Sequence, residues 1–525
     1  MIKKAAGEIA SYLESLGAEV RASAADVSFT ELAASSTECA EGSLFAAFPG
    51  SSSDGRKYIG DAISRGASGI VYELSSADGS GDFTGVPAGV PADIPAIGVR
   101  DLRKYLPALA SFFYDHPAEH LHLLGVTGTN GKSSTAWYAS LLTDSINKRR
   151  ALKGLPSLGR CGIIGTVGNG FPGELHHTAN TTPGPIQLER ELRRQLDLGA
   201  TRCLMEVSSQ GIAGGRVEGV PFRGAAFTNL SRDHLDFHKT MEAYAAVKWS
   251  FVRGDYANAP VINQDDAVGR EFTERLVREG RKVFTFGEAT GGKEPLLSFR
   301  ESRVEGNGLS FTVRYQDTER RVTLPLIGSF NIYNALTAAG MLIADGMDAA
   351  EVFEALPDLR PLVGRMEMFS REGSPLVIVD FAHTPDGIEK SLAAAREHTR
   401  GTLTCVFGAG GDRDHGKRPL MAAAAEKFAD RVFVTDDNPR SEDPAAIRRD
   451  VAAGFTGAVN SVGRKAEIRT DFTDRALAIR EAIESSKPGD TVAVLGKGHE
   501  EYQIVGKEKR PWSDQRAVRE ILGIE

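Results

Sequence analysis

The chain has 525 residues but only four cysteines, and all four are far apart in sequence. They are Cys39, Cys161, Cys203 and Cys405, and no C-x-x-C pair occurs. Zinc sites and disulfide frameworks usually need closely spaced cysteines, so this spacing favours neither. It fits a reducing cytoplasm.

Long apolar runs, an export signal and an excess of positive charge are lacking as well. No uninterrupted apolar run approaches the roughly 20 residues that cross a bilayer. The first residues, MIKKAAGEIASYLESLGAEV, predict an amphipathic helix rather than a leader. The formal net charge of −8 gives no general attraction to nucleic acid. We therefore expect a cytoplasmic protein, a monomer, that binds neither membranes nor nucleic acid.

Strand-like and helical segments alternate along the chain, which predicts an α/β protein with several domains. A helix break in YDHPAEHL places a first boundary near residue 118. A second lies in 355–369, which carries two prolines and a glycine. The sequence thus predicts a small N-terminal α/β domain (1–118), a central domain with a mainly parallel sheet (119–358) and a Rossmann-like C-terminal domain (359–525).

The stretch LLGVTGTNGKSSTAW almost matches the phosphate-loop pattern G-x-x-x-x-G-K-[ST], but Val126 stands where the first glycine should be. An apolar strand before it and a helix beginning at Lys132 give the context that such a loop requires. Gly128 and Gly131 would let backbone N–H groups converge on phosphate oxygens at the positive end of the helix dipole. The alternative is a tight turn with an exposed lysine.

Two polar residues occupy positions where a purely structural residue would be apolar. Lys248 lies on the same helical face as Met241, Tyr244 and Phe251. Burial would lower its pKa and expose an amine able to take up CO₂, whereas a lysine at the helix edge would reach solvent. Glu206 follows the apolar run CLM, at the carboxyl end of a strand where ligands of parallel sheets gather.

The segment TGTNGKS resembles the phosphate loop of the Mur ligase superfamily, the ATP-dependent amide-forming enzymes of peptidoglycan assembly, which include folylpolyglutamate synthetases as relatives. Ten further segments are similar to family blocks and follow in the family order: NTTPGP (180–185), MEVSSQGI (205–212), FTNLSRDHLDFH (227–238), YAAVKWSF (244–251), GSFNIYNALTA (328–338), GRMEMF (364–369), VDFAHTPDGIEKSL (379–392), GAGGDRDHGKRP (408–419), TDDNPR (435–440) and GKGHEEYQ (496–503). They are most similar to the branch that adds the third peptide residue.

The resemblance implies a cytoplasmic step of peptidoglycan and cell-wall synthesis. ATP would phosphorylate the D-glutamyl carboxylate of UDP-N-acetylmuramoyl-L-alanyl-D-glutamate with Mg²⁺ as cofactor. The amine of meso-diaminopimelate would then attack the acyl phosphate, with L-lysine or L-ornithine as the alternative third residue. The three domains would bind the UDP-sugar, ATP and the amino acid, in chain order, and the C-terminal domain would close to deliver the amine.

The resemblance also implies roles for individual residues. The catalytic residues would be Lys132, Glu206, His234 and Lys248, and the metal ligands Ser133, Glu206, His234 and Lys248 as a carbamate. ATP would be bound by Gly128, Thr129, Asn130, Gly131, Lys132, Ser133, Asn334, Arg365 and Asp380. The UDP-muramoyl-dipeptide would be bound by Ser36, Ser51, Ser52, Ser53, Asn180, Thr181, Thr182, Ser208 and Arg216. The amino acid would be bound by Arg413, Asp437, Asn438, Pro439, Arg440, Gly496 and Glu500.

Arg440 within TDDNPR is the residue that favours diaminopimelate. Diaminopimelate differs from lysine by an additional carboxylate, which a guanidinium can hold through two parallel N–H bonds. As plain sequence, DNPR predicts only a turn with a solvated arginine.

The chain departs from the usual family pattern at several positions. Ser35, Ser36 and Thr37 stand where the N-terminal domain usually has Asp-Ser-Arg. Gln210 replaces a histidine, Gly214 replaces a polar residue, and Ala409 replaces a cysteine. Two other classes remain open: a phosphotransferase with the same loop, and a non-catalytic protein that binds a nucleotide sugar. A folylpolyglutamate synthetase is disfavoured by TDDNPR and by the N-terminal domain.

Overall fold

The computed structural model describes residues 2–22, 27–50, 53–74, 86–87, 89–176, 178, 180–291 and 294–524. The chain forms two compact units, one of residues 1–285 with 340–347 and one of residues 286–339 with 348–525. The three-domain boundaries at 118 and 358 stay a prediction. Within the described ranges, no helix is long and apolar enough to cross a membrane.

The first unit begins with an α/β layer. Its elements are β1 (Lys4–Ala5), α1 (Ala6–Ser15), β2 (Val20–Ala22), β3 (Ser28–Phe29), β4 (Glu31–Ala33), β5 (Ser43–Ala47), α2 (Ile59–Ser64), β6 (Gly69–Glu73), β7 (Ala96–Val99) and α3 (Leu102–Phe113), with short 3₁₀ turns at Ser36–Glu38 and Gly55–Tyr58. Five strands form a sheet in the order β2-β7-β6-β5-β4, parallel except for the β2–β7 pair.

Strand β5 illustrates why this sheet is buried on both faces. Leu44 and Ala46 pack into the apolar cluster that contains α1 and α3, whereas Phe45 and Ala47 pack with Ile59 and Ala62 of α2. Successive side chains of a strand point to opposite faces, so a continuous apolar run such as LFAA suits a strand covered on both sides.

The rest of the first unit surrounds a larger sheet. Its elements are α4 (Pro117–His120), β8 (His122–Thr127), α5 (Lys132–Leu152), β9 (Arg160–Gly165), β10 (Gly168–Gly170), α6 (Pro185–Asp197), β11 (Ala200–Glu206), α7 (Ser209–Ala213), β12 (Gly224–Phe227), α8 (Leu235–His238), α9 (Met241–Val252), β13 (Val261–Asn263) and α10 (Ala267–Arg278). The strand order β10-β9-β11-β8-β12-β13 is parallel from β9 onward. The carboxyl ends of β8, β11 and β12 therefore lie at one edge, where the phosphate-loop segment begins.

At the amino-terminal ends of these strands, a buried carboxylate links three neighbouring strands. Asp345 accepts hydrogen bonds from Arg202 Nε (2.6 Å), Arg223 Nε (3.1 Å) and Asn258 Nδ2 (3.0 Å), and lies 2.7 Å from His122 Nδ1. His122 begins β8, Arg202 is the third residue of β11, and Arg223 immediately precedes β12. Asp345 thus holds the starts of three strands whose ends carry the candidate site.

The second unit contains a three-stranded antiparallel meander, a six-stranded sheet and a two-stranded antiparallel sheet. Its elements are β14 (Phe284–Glu288, of which the last three residues belong to this unit), β15 (Leu297–Glu305), β16 (Gly308–Tyr315), β17 (Thr318–Leu324), α11 (Phe330–Ala344, shared with the first unit), α12 (Ala349–Ala355), a 3₁₀ turn (Leu356–Asp358), β18 (Glu367–Phe369), β19 (Leu376–Asp380), α13 (Pro385–Glu397), β20 (Leu403–Phe407), α14 (Lys417–Phe428), β21 (Arg431–Val434), α15 (Pro444–Ala452), β22 (Glu467–Arg469), α16 (Arg475–Glu484), β23 (Thr491–Leu495), β24 (Tyr502–Val505), β25 (Glu508–Pro511) and α17 (Asp514–Leu522).

The six strands lie in the order β18-β19-β23-β20-β21-β22, parallel except for β18. Ile378 of β19 packs into one apolar cluster and Val377 and Val379 into the other, so helices cover both faces of this sheet. The α/β class and the mainly parallel sheets are confirmed. Strands β15, β16 and β17 form an antiparallel meander with no helix between them, so the predicted alternation is broken there.

Candidate active site

The phosphate-loop segment connects β8 to α5 as the sequence predicts. Gly128 has φ +150°, and a Cβ there would lie 1.9 Å from Thr228 Oγ1, so only glycine fits beside β12. Gly131 is the N-cap of α5 and offers no side-chain cap. The first N–H groups of a helix lack intrahelical partners, and an uncapped helix start of this kind suits an anion.

Lys132 and Asn130 are held by the loop and its neighbours. Lys132 Nζ donates to Gly128 O (3.0 Å) and Thr129 O (2.9 Å), which keeps the ammonium inside the curve of the loop. Asn130 N donates to Asn229 Oδ1 (3.1 Å), and Thr129 N donates to Asn229 O (2.8 Å). The segment after β12 therefore supports the loop from one side.

Glu206 and Ser133 meet at the start of α5. Ser133 Oγ donates to Glu206 Oε2 (2.9 Å), and the other carboxylate oxygen accepts from Thr166 N (2.8 Å). Glu206 is buried, with 1% of its surface exposed, and ends strand β11. The carboxyl end of that strand thus brings a carboxylate to the phosphate loop, as its position after CLM predicts.

Lys248 is buried on α9, and its pattern-based placement on the apolar helix face is confirmed. Its Nζ donates to Gly128 O (2.8 Å) and lies 4.6 Å from the ring centroid of Tyr244. Burial, with a contribution from nearby Lys132, lowers the pKa of Lys248 well below its ordinary value, and Asp233 opposes this shift. An amine in this setting is unprotonated more readily than a lysine in water.

His234 stands apart from the loop contacts just described. It is the left-handed N-cap of α8 (φ +52°), with 42% of its side chain exposed and Nε2 3.4 Å from Asp233 Oδ2. Its ring makes an edge contact with Tyr244, at a centroid distance of 6.2 Å. Ser133, Glu206 and Lys248 are thus brought to the loop, whereas His234 contacts Tyr244, whose hydroxyl lies 3.3 Å from Thr129 Oγ1 of the loop.

Among the described residues, no cluster of three or more His, Cys, Asp or Glu side chains has the arrangement of a metal site. The oxygen donors nevertheless suit Mg²⁺, which prefers one or two carboxylates together with phosphate oxygens. A hydroxyl and a buried carboxylate lie 2.9 Å apart beside the uncapped helix. A carbamate on Lys248 would add a second anion there. The residues present therefore fit Mg²⁺, with His234 as the least engaged member of the predicted set.

The residues assigned to the UDP-muramoyl-dipeptide fall into two groups. Thr182 Oγ1 contacts Ser208 Oγ (2.9 Å) and donates to Glu206 O (3.0 Å), and Arg216 donates to Thr182 O (2.9 Å). This group, with half-buried Thr181 and exposed Asn180, adjoins the carboxyl end of β11. In the N-terminal layer, Ser36 is buried and hydrogen-bonded to Asp61, and Ser53 is exposed. Ser51 and Ser52 lie outside the described residues.

Three residues predicted to bind ATP belong to the second unit. Asp380 ends β19, and its carboxylate accepts from Met366 N (2.8 Å), Ala382 N (3.0 Å) and Ser391 Oγ (2.8 Å). Asp380 therefore orders the backbone around it. Arg365 is half-buried, with its guanidinium 5.0 Å from the ring centroid of Phe381. Asn334 is buried on α11 and donates to Asn331 Oδ1 (3.0 Å).

The predicted amino-acid residues come together at the carboxyl ends of three neighbouring strands, β23, β20 and β21. Asp437 and Asn438 follow β21 and are buried. Gly496 follows β23 with φ +118°, and a Cβ there would lie 2.8 Å from Asp437 Oδ2. Arg413 follows β20 and is exposed. The ends of parallel strands in such sheets commonly hold ligands.

A buried lysine that the sequence did not single out completes this pocket. Lys497 Nζ donates to Glu500 Oε2 (2.9 Å) and to Asn438 Oδ1 (3.2 Å), and Asn438 Nδ2 donates to the same Glu500 oxygen (3.0 Å). The side chain of Lys497 is fully buried. Glu500 balances the charge of Lys497, and the triad joins the segment after β23 to the segment after β21.

Arg440 is held by both backbone and side chain. Its φ of +51° lies in the left-handed region, and it bridges to Val505 through Arg440 N to Ile504 O (3.1 Å) and Gly506 N to Arg440 O (2.7 Å). Its Nη1 donates to Gly411 O (2.8 Å). Arg440 Nη1 and Arg413 Cγ flank the position of a Cβ on Gly410, at 3.0 and 3.7 Å, so two cationic side chains border one glycine.

Three family models match successive parts of the chain. They are the Mur ligase family catalytic domain at residues 28–114, the Mur ligase middle domain at 126–342 and the Mur ligase glutamate ligase domain at 364–498. A curated relative from Pseudomonas aeruginosa is 41% identical over 497 residues, covering 95% of this chain and 96% of that protein. The chain belongs to the Mur ligase family. The relative is named UDP-N-acetylmuramoyl-L-alanyl-D-glutamate--2,6-diaminopimelate ligase.

Solved Mur ligase structures agree with the fold. One, a UDP-N-acetylmuramoyl-L-alanyl-D-glutamate--2,6-diaminopimelate ligase, is 29% identical with a TM-score of 0.65, covering 94% of this chain and 95% of its own. Another is a MurF ligase from Thermotoga maritima in complex with ADP, which is 16% identical with a TM-score of 0.59, covering 89% of this chain and 93% of its own. At that identity the second likeness shows the fold alone.

The structure adds residues to the Mur ligase site that the motifs did not assign. Tyr244 joins Thr129, Lys248 and the rings of His234 and His238. It was visible in sequence only as a member of the apolar helix face. Thr166 could not be found from a motif, because its contact with Glu206 depends on the pairing of β9 with β11.

Proposed function

We propose that this Mur ligase adds meso-diaminopimelate to the D-glutamate of UDP-N-acetylmuramoyl-L-alanyl-D-glutamate in an ATP-dependent reaction. The observation that carries the proposal is the convergence of two features at the ends of β20, β21 and β23: Arg440 and Arg413 border Gly410, and Lys497, Glu500 and Asn438 form a buried triad. The names of the relatives at about 40% identity support it. Because the substrates are ATP and a UDP-linked sugar, we place the reaction in the cytoplasm.

In the first step a D-glutamyl carboxylate oxygen attacks the γ-phosphorus of ATP. The bond from that phosphorus to the β,γ-bridging oxygen breaks, and ADP leaves with the electron pair. We assign to Lys132 and the uncapped N–H groups of α5 the stabilisation of the negative charge that builds up on the transferring phosphoryl group.

We assign Mg²⁺ to Ser133, Glu206, His234 and carbamylated Lys248. When bound, the ion would lower the repulsion between the phosphates and an incoming carboxylate, which amounts to roughly 4 kcal/mol for two unit charges about 4 Å apart at an effective dielectric constant of 20. The carbamate would convert the Lys248 side chain from a cation into an anion. Burial of this amine supports that assignment.

In the second step the amine nitrogen of diaminopimelate attacks the acyl carbon. The acyl C–O bond breaks, phosphate leaves with the electron pair, and the nitrogen gives one proton to water as the amide forms. We assign the distal carboxylate of diaminopimelate to Arg440 and Arg413 and an ammonium group to Asp437, because each pairing joins opposite charges. Glu500, which is already paired with Lys497, would line the same site. Orientation by these residues is what makes the attack effectively unimolecular.

Phosphate release in the presence of ATP, Mg²⁺ and the nucleotide dipeptide tests the proposal, with meso-diaminopimelate, L-lysine and L-ornithine compared at matched concentrations. We expect release that depends on both the dipeptide and diaminopimelate, with a mass shift of the dipeptide by one diaminopimelate residue. Release without an amino acid would indicate a phosphotransferase. Binding of the dipeptide without any release would indicate a binding protein, and equal or faster turnover with lysine or ornithine would reject diaminopimelate.

A further inference from the structure

Two loops of the second unit carry the cationic residues of the amino-acid pocket. The loop after β20 (408–416) carries Arg413, and the loop after β21 (435–442) carries Arg440. Between them lies a buried arginine to which no step of the proposed reaction assigns a role, Arg418 in the first turn of α14. Burying a guanidinium is costly unless its hydrogen bonds are made, so its partners indicate what it holds.

The guanidinium of Arg418 reaches both loops at once. Its Nη2 donates to the two carboxylate oxygens of Glu442 (2.9 and 2.9 Å) and to Gly410 O (3.2 Å). Its Nη1 donates to Asp450 Oδ2 (2.8 Å) and lies 2.9 Å from His415 Nδ1. Glu442 belongs to the second loop and Gly410 to the first, so a single side chain joins them.

A second set of contacts closes the connection. Asp412 N donates to Glu442 Oε1, and the carboxylate of Asp412 accepts from Ser441 Oγ (2.6 Å) and Ser441 N (3.2 Å). We call Arg418, Glu442, Asp412 and Ser441 the loop clamp. It consists of charge-assisted hydrogen bonds, which are the stronger kind.

The clamp acts directly on the place where Arg440 is held. Ser441 follows Arg440 in the chain, and the acceptor of Arg440 Nη1 is the carbonyl of Gly411, next to Asp412. The loops touch without spare room there, because a Cβ on Gly411 would lie 1.9 Å from Pro439 O. A change in the spacing of the two loops would therefore displace the Arg440 guanidinium from its acceptor.

We propose that Arg418 is a positioning residue that sets the amino-acid selectivity of this pocket, by fixing the spacing of the loops that present Arg413 and Arg440. The inference rests on the proposed function, because selectivity is defined by the substrate that the pocket takes. A lysine at 418 has a single terminal nitrogen, so it cannot bind Glu442, Gly410 O and Asp450 together as the two terminal nitrogens of Arg418 do. The planar guanidinium is therefore needed, and not merely a positive charge.

The test compares Arg418→Lys and Ser441→Ala with wild type in steady-state kinetics for diaminopimelate, L-lysine, ATP and the nucleotide dipeptide. Ser441 is exposed and loses one hydroxyl contact, so this variant tests the clamp even where Arg418→Lys does not fold. Arg396→Lys is the matched control. Its largely buried arginine pairs with Asp430 (2.9 Å) in the same unit and contacts neither pocket loop.

For Arg418→Lys we expect KM for diaminopimelate to rise about 10-fold, the size of one lost charge-assisted bond. The preference for diaminopimelate over lysine should fall by a similar factor, while kcat and KM for ATP stay within about twofold. Ser441→Ala should show the same pattern at about threefold, because Asp412 loses the hydroxyl donor but keeps the backbone donor Ser441 N. If Arg418 were merely structural, the variant would instead have a lower melting temperature and a lower kcat, and the preference for diaminopimelate over lysine would not change.

The inference is overturned if folded Arg418→Lys and Ser441→Ala keep the wild-type KM and preference, or if Arg396→Lys changes them equally. Should Arg418→Lys not fold, an unchanged preference in Ser441→Ala overturns it by itself. Failure of the proposed function is seen separately, because wild-type enzyme would then release no phosphate with diaminopimelate.

Discussion

The phosphate loop and the amino-acid pocket each bury a lysine, but they surround it differently. Lys248 lies against the carbonyl of Gly128 and the ring of Tyr244, which are neutral groups, and its pKa is lowered. Lys497 lies against the carboxylate of Glu500. Burial among neutral groups disfavours the ammonium form of Lys248, whereas Lys497 forms an ion pair with Glu500.

This difference indicates what each site can accept. Lys132 and Lys248 both donate to the neutral carbonyl of Gly128, so this part of the loop gains from the arrival of negative charge, on phosphate or on a carbamate. In the pocket the charge of Lys497 is already balanced by Glu500, so a substrate carboxylate needs a cation outside that pair, a role that we assign to Arg440 and Arg413. The following predictions test whether the two sites differ in this way.

The largest effect is expected at the phosphate loop. Lys132→Ala removes the cation that we assign to the transferring phosphoryl group, and removing one such group typically costs about 10² to 10³ in rate. Turnover should fall by this factor while the melting temperature stays near that of wild type. The control is Lys148→Ala, on the exposed face of the same helix. Turnover above half of the wild-type value would remove Lys132 from the phosphate site.

Lys248→Ala should lower turnover by about 10² if the residue acts as a carbamate. Short carboxylic acids such as acetate should restore part of the activity, because they can replace the missing anion in the cavity. The same acids should not restore Lys132→Ala, whose missing group is a cation. An experimental map that ends at a bare amine, from crystals grown with bicarbonate and Mg²⁺, would contradict the carbamate.

Arg440→Ala tests the pocket in isolation from the loop. We expect kcat/KM for diaminopimelate to fall roughly 10- to 100-fold, the size of a lost charge-assisted hydrogen bond, chiefly through KM. KM for ATP should stay near that of wild type. Arg449→Ala, an exposed arginine on α15, is the control. If L-lysine matches diaminopimelate already in the wild type, Arg440 does not set selectivity.

The smallest expected effect concerns stability rather than turnover, and it comes from one buried carboxyl group, that of Glu189. Burial raises the pKa of Glu189 to about 8, with a contribution from Glu119, and within the described residues its Oε2 has no hydrogen-bond partner. The folded state then keeps a proton that the unfolded state releases, so stability should decrease by up to about 1.4 kcal/mol per pH unit between the two pKa values.

Glu189→Gln should remove this dependence, since an amide does not titrate. Denaturant midpoints of the variant and wild type should converge at low pH and separate as the pH rises toward about 8, with the variant more stable. Glu271→Gln, on the exposed surface of α10, should leave the wild-type slope unchanged. Parallel curves for Glu189→Gln and wild type would mean that Glu189 is ionised in the folded protein.

Local patterns predicted those features that depend on neighbours in sequence. The strand, loop and helix around Lys132, the buried face of α9 and the carboxylate at the end of β11 all follow from periodicity and position. The antiparallel meander β15–β17 was missed, although Gly306 and Gly308 mark its first turn, because the surrounding segments all alternate with helices. A turn-based reading of that stretch would have found it.

Pairings between distant residues could not be predicted in this way. Lys497 is 59 residues from Asn438 and Glu442 is 24 residues from Arg418, and only the order of strands in the sheet brings them together. A lysine in GKG and an arginine in GKRP look like solvated charges in sequence. Their burial depends on the parallel register of β20, β21 and β23, which no local pattern specifies.

The left-handed backbone of Arg440 limits how this pocket can evolve. At φ +51° most side chains are strained, and glycine, asparagine and aspartate are the residues that adopt such a conformation most readily. A lineage that changes its amino acid by mutating this position is therefore expected to pass through one of these three, rather than through valine, isoleucine or threonine. Because none of the three carries a positive charge, such drift would remove the cation that we assign to the distal carboxylate before another could replace it.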